Sequence, residues 1–320
     1  MYLLLITMNN VFSSNRLPYN HETRNINGQT YRGKFINGKL QGFGIVNRKN
    51  GTRMYEGGFK NGIYNGKGIY YWSNGTTEMY KGYWEKGRRS GKGIEKDSSG
   101  KMTYEGNYQN DKEHGEGILY RKDGTKMYEG SFLRGEEHGF GTRFYRGDTT
   151  NKVEYKGKWN GGSITGNGTK YRRSNGTKVY EGTFEKDVIV KGKLYFPNGK
   201  TVQYEGTFKS GLPDGEGTKY NSNGTVRYEG GFKKGKYNGT GRLRNNRFGY
   251  VVTGKFKNGK LNLNDENVRA ALKALPPGVH PNFPNGGNNY LKAQRRSGKF
   301  YKGSKAANNA RNRAEQMRKT

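Results

Sequence analysis

Apolar and polar residues alternate over short runs, and the runs recur at a fixed period. In Met54-Tyr55-Glu56-Gly57-Gly58-Phe59-Lys60, Tyr55, Gly57 and Phe59 fall at i, i+2 and i+4, which places them on one face of a strand. Equivalent tyrosines stand at Tyr31, Tyr55, Tyr80, Tyr104, Tyr128, Tyr155, Tyr180, Tyr204 and Tyr228, at spacings of 24, 25, 24, 24, 27, 25, 24 and 24 residues. A second ring follows four residues later, giving a ladder of Tyr55-Gly57-Phe59, Tyr80-Gly82-Trp84, Tyr104-Gly106-Tyr108, Tyr128-Gly130-Phe132, Tyr155-Gly157-Trp159, Tyr180-Gly182-Phe184, Tyr204-Gly206-Phe208 and Tyr228-Gly230-Phe232. Phe35 and Phe256 extend the ring column, the latter after Val252 instead of a tyrosine. The glycine leaves a gap between the rings. A ring from a neighbouring strand is expected to lie over it and offset the usual cost of glycine in a strand.

Each unit has a second half that opens on Gly-x-Gly, as in Gly66/Gly68, Gly91/Gly93, Gly115/Gly117, Gly139/Gly141, Gly166/Gly168 and Gly215/Gly217. β-Branched residues follow (Ile69, Ile94, Ile118, Thr142, Thr169, Thr218), and two residues on come Tyr71, Tyr120, Phe144, Tyr171 and Tyr220. This is again strand periodicity. Asn50-Gly51, Asn74-Gly75, Asp123-Gly124, Asn175-Gly176, Asn198-Gly199 and Asn223-Gly224 separate the units and predict two-residue hairpin turns, because both residue types accept positive φ. The predicted fold class is all-β: an antiparallel meander of about nine consecutive hairpins. Eighteen strands at about 4.8 Å each predict a sheet roughly 85–90 Å long.

The run Tyr-Glu-Gly-x-Phe-x-x-Gly-x-x-x-Gly-x-Gly, repeated in register over residues 29–260, resembles the MORN (membrane occupation and recognition nexus) repeat. The resemblance implies an elongated, twisted sheet of consecutive hairpins; a short C-terminal helix is read separately, from the residues that follow it. Two copies depart from the pattern: the seventh has Val190-Lys191-Gly192, with Val190 where the first glycine should be, and the ninth runs into Arg242-Leu243-Arg244-Asn245-Asn246 and a tyrosine-free Val252-Thr253-Gly254. Atypical end units are what stops an array from growing.

Composition alone points elsewhere. Leu, Ile, Val and Phe make up about 16% of 320 residues and the net charge is +33, values typical of disorder. The period overrules this reading, since Tyr, Trp and Gly do the packing. The absence of cysteine excludes disulfides and thiolate metal sites.

Residues 1–28 read as a leader. Its Met1–Met8 start is apolar but short, without the basic flank or cleavage site of a signal peptide, and translation from Met8 is the alternative. No stretch approaches a membrane span, so the expected location is intracellular, cytoplasmic or membrane-peripheral. Asn-Gly-Thr triplets match a glycosylation sequon, but turn chemistry accounts for them. Residues 261–277 predict a helical cap, with Asn264 or Asp265 as N-cap, Val268, Ala271, Leu272 and Leu275 on one face and Pro276-Pro277 as the stop. This cap is expected to hide a sheet edge. Residues 278–320 are a Pro/Gly/Asn-rich linker and a basic tail carrying Lys292, Arg295, Arg296, Lys299, Lys302, Lys305, Arg311, Arg313, Arg318 and Lys319 against one acid, Glu315.

Catalysis needs unlike groups converging on one point, whereas a repeat lines up like groups. Equivalent residues of adjacent units lie roughly 9.6 Å apart, so His114 and His138 cannot share a zinc ion bound at about 2 Å; they are expected in turns. The row Glu56, Glu105, Glu129, Glu181, Glu205 and Glu229 shares its slot with Arg32, Lys81 and Lys156, which marks a surface position bonding to lysines on neighbouring strands, not a glycosidase pair. Gly62–Gly68 misses the phosphate-loop pattern and precedes no helix. No catalytic residue, metal, cofactor or small-molecule substrate is expected. The expected role is a non-enzymatic scaffold presenting a long sheet surface to protein partners, with self-association implied by the resemblance. The alternative is polyanion binding, to nucleic acid or an anionic lipid surface, through the basic array and the ten tail cations.

Overall fold

The computed structural model describes residues 17–245 and 249–274. The start of the leader, Leu275, Pro276-Pro277 and all ten tail cations lie outside the described residues. The described residues form two compact units, 17–176 with 185–187, and 177–184 with 188–245 and 249–274.

In the first unit, β1 (Glu22–Ile26), β2 (Gln29–Ile36), β3 (Lys39–Asn47), β4 (Arg53–Lys60), β5 (Ile63–Tyr71), β6 (Glu78–Glu85), β7 (Arg88–Lys96), β8 (Met102–Gln109), β9 (Lys112–Tyr120), β10 (Lys126–Leu133), β11 (Glu136–Phe144), β12 (Val153–Asn160) and β13 (Ser163–Tyr171) follow one another, each antiparallel to the next. The second unit continues the pattern with β14 (Lys178–Glu185), β15 (Val188–Tyr195), β16 (Val202–Lys209), β17 (Leu212–Tyr220), β18 (Val226–Lys233), β19 (Lys236–Asn245), β20 (Tyr250–Lys257) and the two-residue β21 (Lys260–Leu261), then helix α1 (Glu266–Lys273). The architecture is the all-β antiparallel meander of hairpins that the periodicity predicts.

The turns differ from expectation. Two-residue turns with both residues at positive φ lie inside each unit, as at Asn61 (φ 53°) and Gly62 (φ 79°), the pairing that matches strand twist. The Asn-Gly pairs between units instead sit in connectors of five or six residues. Asn50 Oδ1 accepts from the Thr52 amide at 3.1 Å and hydroxyl at 2.7 Å, and only Gly51 takes positive φ (80°). With its side chain engaged in this Asx turn, the asparagine stays out of the left-handed region.

The ring-over-glycine expectation also needs correction. Gly57 faces Gly68 across β4–β5, and the ring that covers the pair comes from the same strand as Gly57. A Cβ on Gly68 would stand 2.1 Å from Tyr55 Oη and 2.4 Å from its Cζ. The same arrangement recurs with Tyr104 over Gly117, Tyr128 over Gly141, Tyr155 over Gly168, Tyr204 over Gly217 and Tyr228 over Gly241. Two glycines are needed because the two backbones and the ring occupy one volume.

Helix α1 is capped by Asp265, whose Oδ1 accepts from Asn267 N at 3.0 Å and Val268 N at 3.4 Å. Val268 and Leu272 pack with Tyr250 and Val252. A Cβ on Gly254 would lie 2.4 Å from Val268 Cγ2, so Val268 fills the place that a tyrosine fills in earlier hairpins. The helix thus covers the ring-bearing face of β20, not simply an edge. Part of that edge is met by β21, which pairs with Phe256 and Lys257.

Candidate interaction surface

One face of each unit is consumed by its own fold. Tyr55, Tyr80, Tyr104, Tyr128, Tyr155, Tyr204 and Tyr228 are at most 1% exposed. Tyr55, Tyr80, Tyr104, Tyr128, Tyr204 and Tyr228 each meet the second aromatic of their own strand and of the next repeat edge-on: Tyr55 lies 5.3 Å from Phe59 and 5.6 Å from Trp84, and Tyr204 lies 5.0 Å from Phe208 and 4.9 Å from Phe232. Such pairs contribute about 0.5–1.5 kcal/mol each beyond burial. A bulge at Gly58 turns its carbonyl out of the ladder, and Tyr55 Oη donates to it at 3.1 Å. Tyr80, Tyr104, Tyr128 and Tyr228 make the same bond to the residue three further on. Burial pushes these phenols up, to about 12 for Tyr155 and Tyr204 and further for the others. These seven phenols keep their protons at pH 7 and act as neutral hydrogen-bond donors within the fold.

The opposite face carries a cross-strand row in perfect register. In the first unit it reads Arg32, Ile45, Glu56, Ile69, Lys81, Ile94, Glu105, Ile118, Glu129, Thr142, Lys156, Thr169. In the second it reads Lys193, Glu205, Thr218, Glu229, Arg242, Thr253. Charged residues alternate with β-branched ones through most of the first row. The carboxylates find two kinds of cation. Glu205 and Glu229 pair across strands with Lys193 at 3.8 Å and Arg244 at 2.9 Å, as expected. Glu56, Glu129 and Glu181 instead pair with Arg53, Lys126 and Lys178 three residues back on their own strand, at 2.7, 2.8 and 2.9 Å. An irregularity in strand register just before each ladder tyrosine explains this, because a bulge brings residues i and i+3 to one face. Tyr71 also donates to Glu56 at 2.6 Å and Tyr195 to Glu181 at 2.5 Å. With Tyr195 and Lys178 both on it, the Glu181 carboxyl is held below the ordinary range. Beside this row Tyr83 is 40% and Phe140 67% exposed. Lys67 Nζ stands 5.6 Å from the Tyr83 ring centre, and Phe140 faces Lys158.

His114 and His138 are half-buried in β9 and β11, not in turns. The loop reading failed because the connectors proved to lie elsewhere. Among the described residues no three His, Asp or Glu groups gather as metal ligands, and no helix is long and apolar enough to cross a membrane.

A further row escaped sequence reasoning. Just past four of the second strands a long side chain reaches the next repeat's last strand carbonyl: Arg48 to Tyr71 O at 2.5 Å, Trp72 to Lys96 O at 3.0 Å, Arg121 to Phe144 O at 2.6 Å and Tyr145 to Tyr171 O at 2.6 Å. Arg48 and Arg121 also donate to the carbonyls of Arg53 and Lys126. The only signal was a long, polar-tipped residue at Arg48, Trp72, Arg121 and Tyr145, one period or two apart.

These features define a β-hairpin repeat protein with one face closed by rings and the other open as a regular surface. A family model for the MORN repeat matches residues 31–53, 55–77, 80–102, 104–126, 128–149, 180–201, 204–226 and 228–245. That is more than half of the sequence, and the chain belongs to the MORN repeat family. Hairpin β12–β13 falls between the matched segments and keeps the buried Tyr155 and Trp159 and the facing Gly157 and Gly168, making it a ninth copy. No curated protein matches the chain. Arrays of this family are in general repeat scaffolds or interaction modules, not enzymes.

Proposed function

We propose that the protein is a non-enzymatic scaffold that holds a protein partner on its open face. The observation that carries this reading is the division of labour between faces. Rings and glycines on one side are spent on the fold, while the other presents charged and β-branched positions at each strand, with Tyr83 and Phe140 exposed among lysines. A second copy of the chain is one candidate partner, and the place of action is inside the cell, in the cytoplasm or at a membrane surface. The test is cross-linking capture by the full chain, by a Tyr83→Ser/Phe140→Ser variant and by a full-length variant with the ten tail cations changed to glutamine. Selective loss of a captured protein, or of self-association in sedimentation, from the face variant supports the scaffold. Equal capture by all three refutes it.

A second reading, polyanion binding, is favoured by the net charge of +33 and by Lys292, Arg295, Arg296, Lys299, Lys302, Lys305, Arg311, Arg313, Arg318 and Lys319. Duplex DNA and phosphatidylserine vesicles titrated across a salt series decide it. Binding that falls steeply with salt and disappears in the tail variant places the activity in the tail. Weak binding by both proteins at physiological salt removes this reading.

A further inference from the structure

Hairpin β18–β19 lacks a side chain that five earlier hairpins carry, and the strand that follows it differs in charge. In most hairpins the residue after the ladder glycine lays its side chain against the left-handed glycine of the next strand: Tyr83 against Gly91, Asn107 against Gly115, Ser131 against Gly139, Lys158 against Gly166 and Thr207 against Gly215. In β18 that residue is Gly231, as it is Gly58 in β4, and nothing lies within 4 Å of the place where a Gly239 or Gly66 side chain would stand. Gly231 has no alternative, because a Cβ there would sit 2.1 Å from the Asn238 carbonyl oxygen. The bare floor opens into a groove of about 880 Å³ lined by Gly239, Thr240, Lys255, Lys257, Lys260 and Asn262 among others.

The charge changes at the same place. Glu229 neutralises Arg244 at 2.9 Å, but β20 carries Thr253 where earlier ladders carry the glutamate or its substitute. Lys255, Lys257 and Lys260 are exposed, and among the described residues no carboxylate lies within 4.0 Å of their ammonium groups. A concave site with unpaired like charges focuses its field on an anion.

The groove offers no plane for a nucleobase, since its one aromatic, Phe256, is 5% exposed; single-strand binders rely on such planes. It does offer a glycine floor that a backbone can approach closely and the amides of Asn258 and Asn262 beside the lysines. We propose that this groove docks an acidic segment of a protein partner, its carboxylates on Lys255, Lys257 and Lys260. This rests on the scaffold reading and gives the partner its chemistry.

The experiment uses the full chain and a fluorescein-labelled decaglutamate peptide, read by anisotropy at physiological salt. Lys255→Gln/Lys257→Gln/Lys260→Gln is expected to weaken binding about tenfold or more. Lys39→Gln/Lys60→Gln/Lys112→Gln, which removes equal charge from exposed first-unit positions, is expected to leave it within twofold. Equal losses in both variants, no loss in the groove variant, or no binding by the parent protein overturns the proposal. So does a groove variant that loses single-stranded RNA or phosphatidylserine vesicles but keeps the peptide. A negative peptide result leaves the scaffold itself to be judged by capture on the Tyr83/Phe140 face.

Discussion

Gly66 and Gly68 are two residues apart in the same Gly-x-Gly, yet alanine should affect them for different reasons and by different amounts. A methyl at Gly68 would overlap Tyr55 at Oη, Cζ and Cε2, at 2.1, 2.4 and 2.6 Å. That is the body of a ring which is 0% exposed, not a flexible end. Displacing it forfeits much of the roughly 1.5–3 kcal/mol of ring burial, the bond to Gly58 O, about 1 kcal/mol, and the edge contacts to Phe59 and Trp84, about 0.5–1.5 kcal/mol each. Gly68→Ala should therefore cost about 3 kcal/mol or more. Gly66 has open space around it and φ +84°, so Gly66→Ala should cost only the left-handed strain, about 1–2 kcal/mol. A double-mutant cycle separates clash from backbone. Gly68 does not need positive φ, so in a Tyr55→Ala background Gly68→Ala should be close to neutral, a coupling of about 3 kcal/mol. Because repeat arrays unfold by segments, the assay is hydrogen exchange of the β4 and β5 amides alongside urea denaturation. Equal effects at Gly66 and Gly68, or additivity with Tyr55→Ala, would refute the reasoning.

Arg121→Ala should cost about 1–2 kcal/mol and speed exchange in the connectors on both sides of β10–β11, because one guanidinium serves the Lys126 and Phe144 carbonyls; an effect confined to its own connector would contradict the clamp. Val268→Ala should cost about 1–3 kcal/mol and expose β20 first in exchange, and Asp265→Ala about 1 kcal/mol with loss of helix α1. In the connectors, bonds from Ser99 to Asp97 and from Thr125 to Asp123 hold both carboxyls below their ordinary value. A folded value below the unfolded one means that these turns are fully held above the unfolded value of about 3.9 and loosen as pH falls through the folded value. Carboxyl titration by NMR should show both midpoints depressed; midpoints at the unfolded value would contradict this.

The hairpins were legible because each rests on local periodicity: Tyr55, Gly57 and Phe59 declare a face whatever their surroundings. The turn assignment failed for a reason equally local, since Asn-Gly is compatible with two backbones and only the Thr52 hydrogen bonds choose between them. The packing of Tyr55 on Gly68 depends on cross-strand register, which spacing alone does not specify. The salt bridges Arg53–Glu56 and Lys126–Glu129 were hidden by the bulge that breaks strand alternation. The groove beside β20 was least visible, because it combines a missing side chain at Gly231, which β4 shares at Gly58, with three exposed lysines, Lys255, Lys257 and Lys260, on β20 and β21.

The edge-on contact of each ladder tyrosine with the next unit's second ring has a direction. Tyr55 is completed by Trp84, Tyr80 by Tyr108 and Tyr104 by Phe132, always from the later hairpin to finish the earlier. Along this run each later hairpin covers the tyrosine of the one before it and leaves its own to be covered by the next. A whole 24-residue unit can be gained or lost within a run at the cost of no new interface, since the joint it creates is the joint already used. Only the final hairpin has no successor, and it is there, over Gly254, that the chain departs from its repeat and supplies Val268 from a helix.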